Sequence, residues 1–288
     1  MDLTSLSVIR SLCDKYGFEF SKTLGQNFLV NSAIPKKTAE EAEIDGKFVI
    51  EIGPGFGCLT KELCARAKFV TAVEIDKSLL PVLSETLAEF DNLEIINDDI
   101  LNVDIAALCE KYGYNEAHIC ANLPYYITTP IIMKILESSA PVRSVTVMVQ
   151  KELAKRFVSS PATPDYGAVT AAVMYYTKPK LLFNVSAGSF YPAPNVDSAV
   201  IRLDVIPESE RVATKNRETF FRVIRSAFAM RRKTLVNNLS AEFSISKNEA
   251  AAILSSLSIP VSVRGEALEI KEFARISDKI EENYSAGS

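Results

Sequence analysis

The most informative residues for chemistry form the tetrapeptide Asn122-Leu123-Pro124-Tyr125, which closes an apolar run of strand length. The Asn122 side-chain carbonyl and a backbone carbonyl could accept both N–H bonds of an exocyclic amine such as that of adenine. The lone pair of that amine would then be less delocalised into the ring and more nucleophilic. Pro124 stiffens the loop, and Tyr125 offers an aromatic face for stacking. An ordinary turn is the alternative, because Asn and Pro are common turn residues.

A second aromatic residue, Phe190, lies in the proline-rich segment 189–194 next to Tyr191. Phe190 could face Tyr125 across a base that has been flipped out of its stack. Packing into the core beneath the loop is an equally good interpretation of the same residues. The sequence leaves these two interpretations open.

A glycine-rich loop, EIGPGFG at residues 51–57, follows the first apolar run of strand length. Glycines let the backbone approach a ligand, and Glu74, about 20 residues after Gly53, ends the next run, where it could hold ribose hydroxyls. The GxGxG spacing with Pro54 inside it favours a methyl donor such as S-adenosylmethionine over a dinucleotide. A tight structural turn is the alternative.

Asp99 follows the third apolar run, in the sequence Asn97-Asp98-Asp99. Its carboxylate could accept a hydrogen bond from the amine of an adenine ring. The alternative is a helix N-cap, for which Asp is among the best residues.

Residue counts limit the other kinds of chemistry. His118 is the only histidine, which excludes a histidine-rich metal site and leaves Ser-His-Asp catalysis with a single candidate base. The five cysteines are scattered without a CxxC pair, which is typical of reduced thiols. No apolar stretch could span a bilayer, and the N-terminus lacks a secretory signal pattern. We expect a cytoplasmic protein that binds neither a metal nor a membrane.

The charge distribution is uneven along the chain. The net charge of −4 is not typical of a protein that binds nucleic acid. Residues 211–233, however, are rich in basic residues and contain Glu218 as their only acid. This one-sided run makes contacts with RNA phosphates as good an interpretation as a solvated helix face. The candidate RNA contacts are Arg222, Arg225, Arg231, Arg232 and Lys233.

The apolar pattern predicts how these residues are positioned. Runs of strand length at 48–52, 70–75, 93–96, 119–123 and 145–149 alternate with segments of helical period, which predicts a mostly parallel α/β sheet covered by helices. Segments 181–185 and 198–205 add strands, 168–176 is ambiguous between helix and strand, and the N-terminus predicts an amphipathic helix. After Pro207 the period becomes helical. We therefore expect an α/β domain over 1–206 and a small all-helical, RNA-contacting domain over 207–288.

In this order, the motifs resemble those of the KsgA/RsmA family of ribosomal RNA adenine dimethyltransferases over nearly the whole chain. The motifs that carry the resemblance are LGQNFL (24–29), EIGPG (51–55), VEID (73–76), NLPYYITTP (122–130), KE (151–152), FYP (190–192), VDSAV (196–200), RRKTL (231–235) and RGE (264–266). The resemblance implies a Rossmann-like class I methyltransferase sheet with S-adenosylmethionine as its cofactor. The implied cofactor contacts are Asn27, Leu29, Gly53, Glu74, Asp99 and Asn122, to which the glycine loop adds Gly55.

The resemblance also implies a substrate: two adjacent adenosines in a hairpin near the 3′ end of small-subunit (16S) rRNA, within a pre-ribosomal particle. Each would be dimethylated during maturation of the small subunit. The RRKTL segment favours this family over the Erm-type methyltransferases of 23S rRNA. Intact Glu74, Asn122 and Tyr125 favour an enzyme over an assembly or binding factor of the same fold.

Overall fold

The computed structural model describes residues 1–21, 25–230 and 232–284, apart from the side chain of Tyr284. Two compact units emerge, one from residues 1–154 and 179–205, the other from residues 155–178 and those from 206 onward. The boundary predicted at residue 206 left segment 155–178 in the first domain, whereas the structure groups it with the second unit. There the buried Tyr166 donates a hydrogen bond from its hydroxyl to the Leu268 carbonyl (3.1 Å).

The elements follow one another in this chain order: α1 (Leu6–Tyr16), β1 (Phe28–Leu29), α2 (Ala33–Glu41), β2 (Phe48–Ile52), α3 (Cys58–Cys64), β3 (Phe69–Glu74), α4 (Leu80–Thr86), β4 (Leu93–Asn97), α5 (Ile105–Tyr112), β5 (Ala117–Asn122), α6 (Thr128–Glu137), β6 (Val142–Gln150), α7 (Lys151–Phe157), α8 (Ala168–Tyr176), β7 (Thr177–Val185), β8 (Phe190–Tyr191), β9 (Ser198–Val205), α9 (Arg217–Ala229), α10 (Leu235–Phe243), α11 (Lys247–Ser256) and α12 (Ile270–Tyr284). None of the described helices is long and apolar enough to cross a membrane.

The central sheet has the strand order β4-β3-β2-β5-β6-β9-β7. Strands β4, β3, β2, β5 and β6 run parallel, and β9 is antiparallel to β6. From β2 the chain moves outward to β3 and β4, and it then returns to place β5 on the other side of β2. Ligands of open parallel sheets bind outside the carboxyl ends of the strands at such a reversal of strand order. Here those ends are Ile52 and Asn122.

The strands form because their residues are apolar on both faces. Every residue of β2 is buried, and so are all of β5 except Asn122, the pattern of parallel strands covered by helices on two sides. The mostly parallel α/β sheet predicted from the sequence is confirmed, and the predicted strands match the observed ones to within a few residues. The ambiguous segment 168–176 is the largely buried helix α8.

The N-terminal segment packs beside the glycine loop. The predicted amphipathic helix is α1, which buries Ile9 and Leu12. Phe18 and Phe28 then enclose Phe56 of the loop, with ring centroids 5.4 and 4.4 Å away. These aromatic contacts connect the start of the chain to the carboxyl end of β2.

The second unit is helical, as the period after residue 207 predicts. Phe220 and Ile224 are buried on one face of α9. At Gly265 a Cβ atom would lie 2.5 Å from the Ala227 carbonyl oxygen. The backbone at Gly265 is therefore too close to the backbone at Ala227 for any residue with a side chain. This approach explains the glycine of the RGE motif.

Candidate functional site

A cavity in the first unit opens at the carboxyl ends of β2, β3 and β5. Its walls contain all but one of the catalytic and cofactor-binding residues predicted from the sequence: Asn27, Leu29, Gly53, Gly55, Glu74, Asn122, Leu123, Pro124, Tyr125 and Phe190. The wall also contains residues to which the sequence assigned no role, among them Gln26, Glu51, Ile75 and Tyr126. The fold therefore brings together residues from five separate parts of the chain.

The glycine loop forms one wall of the cavity. Gly53 and Gly55 have φ of 68° and 61°, in the left-handed region that favours glycine. A Cβ atom at Gly55 would lie 2.8 Å from Cε1 of Phe28. A side chain at Gly55 would thus be strained by its backbone and would also collide with the ring that supports the loop.

Glu74 is held against this loop. One carboxylate oxygen accepts a hydrogen bond from the Gly55 N–H (3.3 Å), and the other accepts one from the Asp76 N–H (2.8 Å). Glu74 is 4% exposed, and burial raises the pKa of its carboxyl group, while the two N–H bonds act in the opposite direction. The carboxylate is a fixed acceptor at the end of β3, beside the positive-φ glycines.

The segment before β1 is tied to the same strand end. Gln26 donates from Nε2 to Oδ2 of Asp76 (2.8 Å) and accepts from the Ser21 N–H at Oε1 (2.8 Å). Asn27 donates from Nδ2 to the Gly25 carbonyl (2.9 Å). These bonds fix the backbone of Asn27 at the cavity wall. Leu24, which precedes this segment in the LGQNFL motif, lies outside the described residues.

Glu51 is the most deeply buried carboxyl group of the wall. It is 1% exposed in the middle of the sheet, and its Oε2 accepts no hydrogen bond from the described residues. Burial raises the pKa of Glu51 to about 8. A buried polar atom without a partner is costly unless a ligand satisfies it, so this oxygen suits a cationic or hydrogen-bond-donating ligand group.

The amide of Asn122 has a defined orientation. Its Nδ2 donates to the backbone carbonyl of Asn27 (3.4 Å), which leaves Oδ1 as the outward acceptor. The Pro124 carbonyl already accepts from Thr128 Oγ1 (2.9 Å) and from a backbone N–H. The Leu123 carbonyl accepts no hydrogen bond from the part of the chain that the structure describes. Two acceptors, Asn122 Oδ1 and the Leu123 carbonyl, are therefore available side by side.

The two predicted aromatic residues occupy different environments. Tyr125 is half-buried, and its hydroxyl lies 2.6 Å from Oγ of Ser198, the first residue of β9. Burial raises the pKa of this hydroxyl. Phe190 is 4% exposed, pairs with Leu29 between β8 and β1, and joins a core cluster with Met148. Phe190 thus packs into the core, as one interpretation expects, and also lines the cavity.

Asp99 is the one predicted cofactor contact outside the cavity wall. Its Oδ1 accepts a hydrogen bond from the Leu101 N–H (2.9 Å), so its side chain caps the turn that follows β4. This is a local turn bond and not the helix N-cap that the sequence offered as the alternative, because the next helix, α5, begins at Ile105 and is capped by Asp104. A contact between Asp99 and a cofactor stays a prediction.

The predicted RNA contacts differ in how they are engaged. Arg222 donates from Nε to Oε1 of Glu242 (3.1 Å), and its guanidinium lies 4.7 Å from the centre of the Phe243 ring. Three other predicted contacts are exposed, namely Arg225, Arg232 and Lys233. No carboxylate of the described residues forms a salt bridge with any of the three. Arg231 lies outside the described residues. The exposed cations are free to meet phosphates, whereas Arg222 connects α9 to α10.

The only histidine does not line the cavity. His118 is buried in β5, with Nδ1 2.8 Å from Oγ of Ser144, and burial lowers its pKa. Among the described residues, no cluster of three or more His, Cys, Asp or Glu side chains is placed to hold a metal ion.

The site can be compared with those of known proteins. The chain matches a family described as "Ribosomal RNA adenine dimethylase" over residues 17–282. It is 43% identical to the ribosomal RNA small subunit methyltransferase A of Alkaliphilus oremlandii, over 96% of this chain and 98% of that protein. A dimethyladenosine transferase structure from Plasmodium falciparum is similar at 25% identity, covering 88% of this chain and 98% of the other, with a TM-score of 0.75.

The structure of the 23S rRNA methyltransferase ErmE is also similar, at 25% identity with a TM-score of 0.68. That similarity covers 88% of this chain and all of ErmE. The two solved structures are thus equally identical to this chain, and the small-subunit methyltransferase of Alkaliphilus oremlandii is more similar to it in sequence than either.

Proposed function

The chain belongs to the ribosomal RNA adenine dimethylase family, and we infer that it dimethylates the exocyclic amines of two adjacent adenosines near the 3′ end of small-subunit rRNA. It is an rRNA adenine dimethyltransferase that uses a methyl donor of the S-adenosylmethionine type. The Erm-type alternative is not favoured, because the relative that is 43% identical over nearly the whole chain is a small-subunit rRNA methyltransferase. The observation that carries the mechanism is the pair of available acceptors at Asn122 and Leu123.

The cavity wall suits S-adenosylmethionine itself. Glu74 offers a fixed carboxylate for the ribose hydroxyls, and Ile75, 52% exposed beside it, offers an apolar surface for the adenine ring. The partnerless oxygen of buried Glu51 suits the ammonium of the methionine part. Gly53 and Gly55 leave room for the cofactor against the backbone. When bound, S-adenosylmethionine supplies an electrophilic methyl group on a sulfonium.

The acceptor pair explains how a poorly nucleophilic amine becomes reactive. Asn122 Oδ1 and the Leu123 carbonyl each accept one N–H of the target adenine. Both bonds favour a pyramidal nitrogen, whose lone pair is then directed at the incoming carbon and no longer delocalised into the ring. As the N–C bond forms, the C–S bond of the sulfonium would break and its sulfur would leave as a neutral thioether. The nitrogen, positive once methylated, would then release a proton to water, so no ionised base is needed. These preorganised acceptors act in the transition state more than in the ground state.

The aromatic residues hold the target base. Tyr125 stacks on the flipped adenine, and the hydrogen bond between its hydroxyl and Ser198 keeps the ring in one orientation. Phe190, which packs in the core cluster with Met148, contacts the opposite face of the flipped adenine. Because both rings are supported by packed strands, little conformational freedom is lost when the base enters.

The basic residues of the second unit are proposed to contact RNA phosphates. Arg225, Arg232 and Lys233 are exposed, and Arg231 belongs to the same basic run. Arg222 is expected to act mainly through its ion pair with Glu242. The net charge of −4 opposes tight binding to free RNA. A pre-ribosomal particle in the cytoplasm is proposed as the substrate because the resemblance to the family implies it.

Mass spectrometry of rRNA tests the proposed function directly. In a bacterial strain that lacks its own dimethylase gene, the parent chain should restore dimethylation of both adenosines in the small-subunit hairpin. Asn122→Ala should restore almost none, although it should bind the particle nearly as tightly as the parent. Methylation of 23S rRNA instead, or full restoration by a folded Asn122→Ala, would contradict the proposal.

A further inference from the structure

One large aromatic side chain in the cavity wall has no part in the proposed mechanism. Tyr126 is 62% exposed, although it follows Tyr125 directly and lines the same cavity. Among the exposed large apolar side chains of the described residues, Tyr126 and Ile75 are the two that line this cavity. Ile75 follows Glu74 and lies in the part of the cavity proposed to bind the cofactor. Exposed apolar side chains gathered at a cavity mark a binding surface, whereas scattered ones need no explanation.

The ring of Tyr126 is held at the rim by the glycine segment opposite. A Cβ atom at Gly25 would lie 3.5 Å from Cδ1 of Tyr126 and 3.5 Å from Cβ of Pro124. Gly25 has φ of 62°, so the backbone there is in the left-handed conformation that favours glycine. One edge of the tyrosine ring therefore rests near backbone, and most of the residue faces solvent. Its hydroxyl makes no hydrogen bond to the described residues, so both the ring and the hydroxyl are accessible to a ligand.

We propose that Tyr126 stacks on the nucleotide next to the target adenosine and thereby positions the second adenosine of the pair. This inference rests on the proposed function. The Cα atoms of adjacent residues lie about 3.8 Å apart, so a base next to the one on Tyr125 is within reach of Tyr126. Aromatic side chains that follow one another along a strand of RNA take successive bases in this way. The waiting adenosine is held in line while its neighbour reacts.

Substitutions of Tyr126 separate stacking from other contributions. Tyr126→Ala should lower kcat/KM on unmethylated small-subunit particles about 5- to 150-fold, the equivalent of about 1 to 3 kcal/mol of stacking. Tyr126→Phe should stay close to the parent, because it keeps the ring. Tyr126→Leu should resemble Tyr126→Ala, because it keeps apolar bulk without the aromatic face. Leu181→Ala, at an exposed apolar residue of β7 outside the cavity, is the matched control.

Changing the neighbouring base tests whether the two partners meet. In particles whose neighbouring adenosine is replaced by uridine, which stacks more weakly, single-turnover methylation by the parent should slow several-fold. Tyr126→Ala should methylate both kinds of particle at the same rate, because the partner of the base is gone. If the parent methylates the particles but Tyr126→Ala is equally fast, or equally sensitive to uridine, the inference is wrong. If the parent methylates neither particle, the proposed function itself fails, and this inference fails with it.

Discussion

The buried carboxyl group of Glu51 should make the stability of the protein depend on pH. Burial raises the pKa of Glu51 from its usual 4.5 to about 8. Between these values the folded protein keeps a proton that the unfolded chain has lost, so the free energy of unfolding falls as the pH rises. Each pKa unit corresponds to about 1.4 kcal/mol, so the full loss above pH 8 is about 5 kcal/mol. Below pH 4.5 Glu51 contributes no pH dependence.

Glu51→Gln removes this titration while preserving the size and shape of the side chain. Its free energy of unfolding, compared with that of the parent, should increase by about 4 kcal/mol between pH 5 and pH 9. Groups that titrate in both proteins, such as Glu74 and His118, largely cancel in this difference. Urea unfolding followed by circular dichroism at a series of pH values measures it. Glu110→Gln, at an exposed carboxylate of α5, controls for the simple loss of a negative charge.

The same substitution tests the proposed contact with the cofactor. If Glu51 binds the cofactor ammonium, its pKa falls on binding, and about one proton is released at pH 7. Calorimetry in two buffers of different ionisation enthalpy should detect this proton with the parent and not with Glu51→Gln. Parental affinity should rise up to tenfold per pH unit toward pH 8 and then level off. A stability difference that does not change with pH would refute the reasoning about burial, and equal proton release by both proteins would refute the cofactor contact.

Three further predictions concern the remaining parts of the site. Glu74→Ala should weaken S-adenosylmethionine binding by about 1 to 3 kcal/mol, the cost of a lost hydrogen bond to a charged group, and unchanged calorimetric affinity in a folded variant would argue against the ribose contact. Tyr125→Phe should keep most of the single-turnover rate, whereas Tyr125→Ala should lose about 1 to 3 kcal/mol of stacking; equal rates for the two would exclude a stacking role. Replacing Arg225 and Lys233 with Ala should reduce the slope of log affinity for the particle against log salt concentration by about one unit per phosphate contact. An unaltered slope would indicate that both residues lie on a solvated helix face and do not contact RNA.

Local patterns in the sequence were enough to predict the architecture. Strands such as β2 and β5 are apolar at nearly every position because both of their faces are covered, and this requirement is visible in consecutive residues. The glycine loop, Glu74 and NLPY each follow such a strand, and parallel strands present their carboxyl ends at one edge. The cavity could therefore be anticipated from spacing, together with the part of its wall that these motifs form, whereas Asn27 and Leu29 were expected only from the resemblance.

Contacts between distant parts of the chain were decided only by the tertiary structure. The orientation of the Asn122 amide depends on the carbonyl of Asn27, 95 residues earlier, and Tyr125 depends on Ser198, 73 residues later. The turn bond of Asp99 and the ion pair between Arg222 and Glu242 were not anticipated from the sequence. Contacts between distant residues depend on the closure of long loops and on the packing of the sheet. Neither produces a periodic pattern in neighbouring residues, so neither can be predicted from the sequence alone. For the same reason, the partnerless oxygen of Glu51 became visible only when the whole core had been assembled around it.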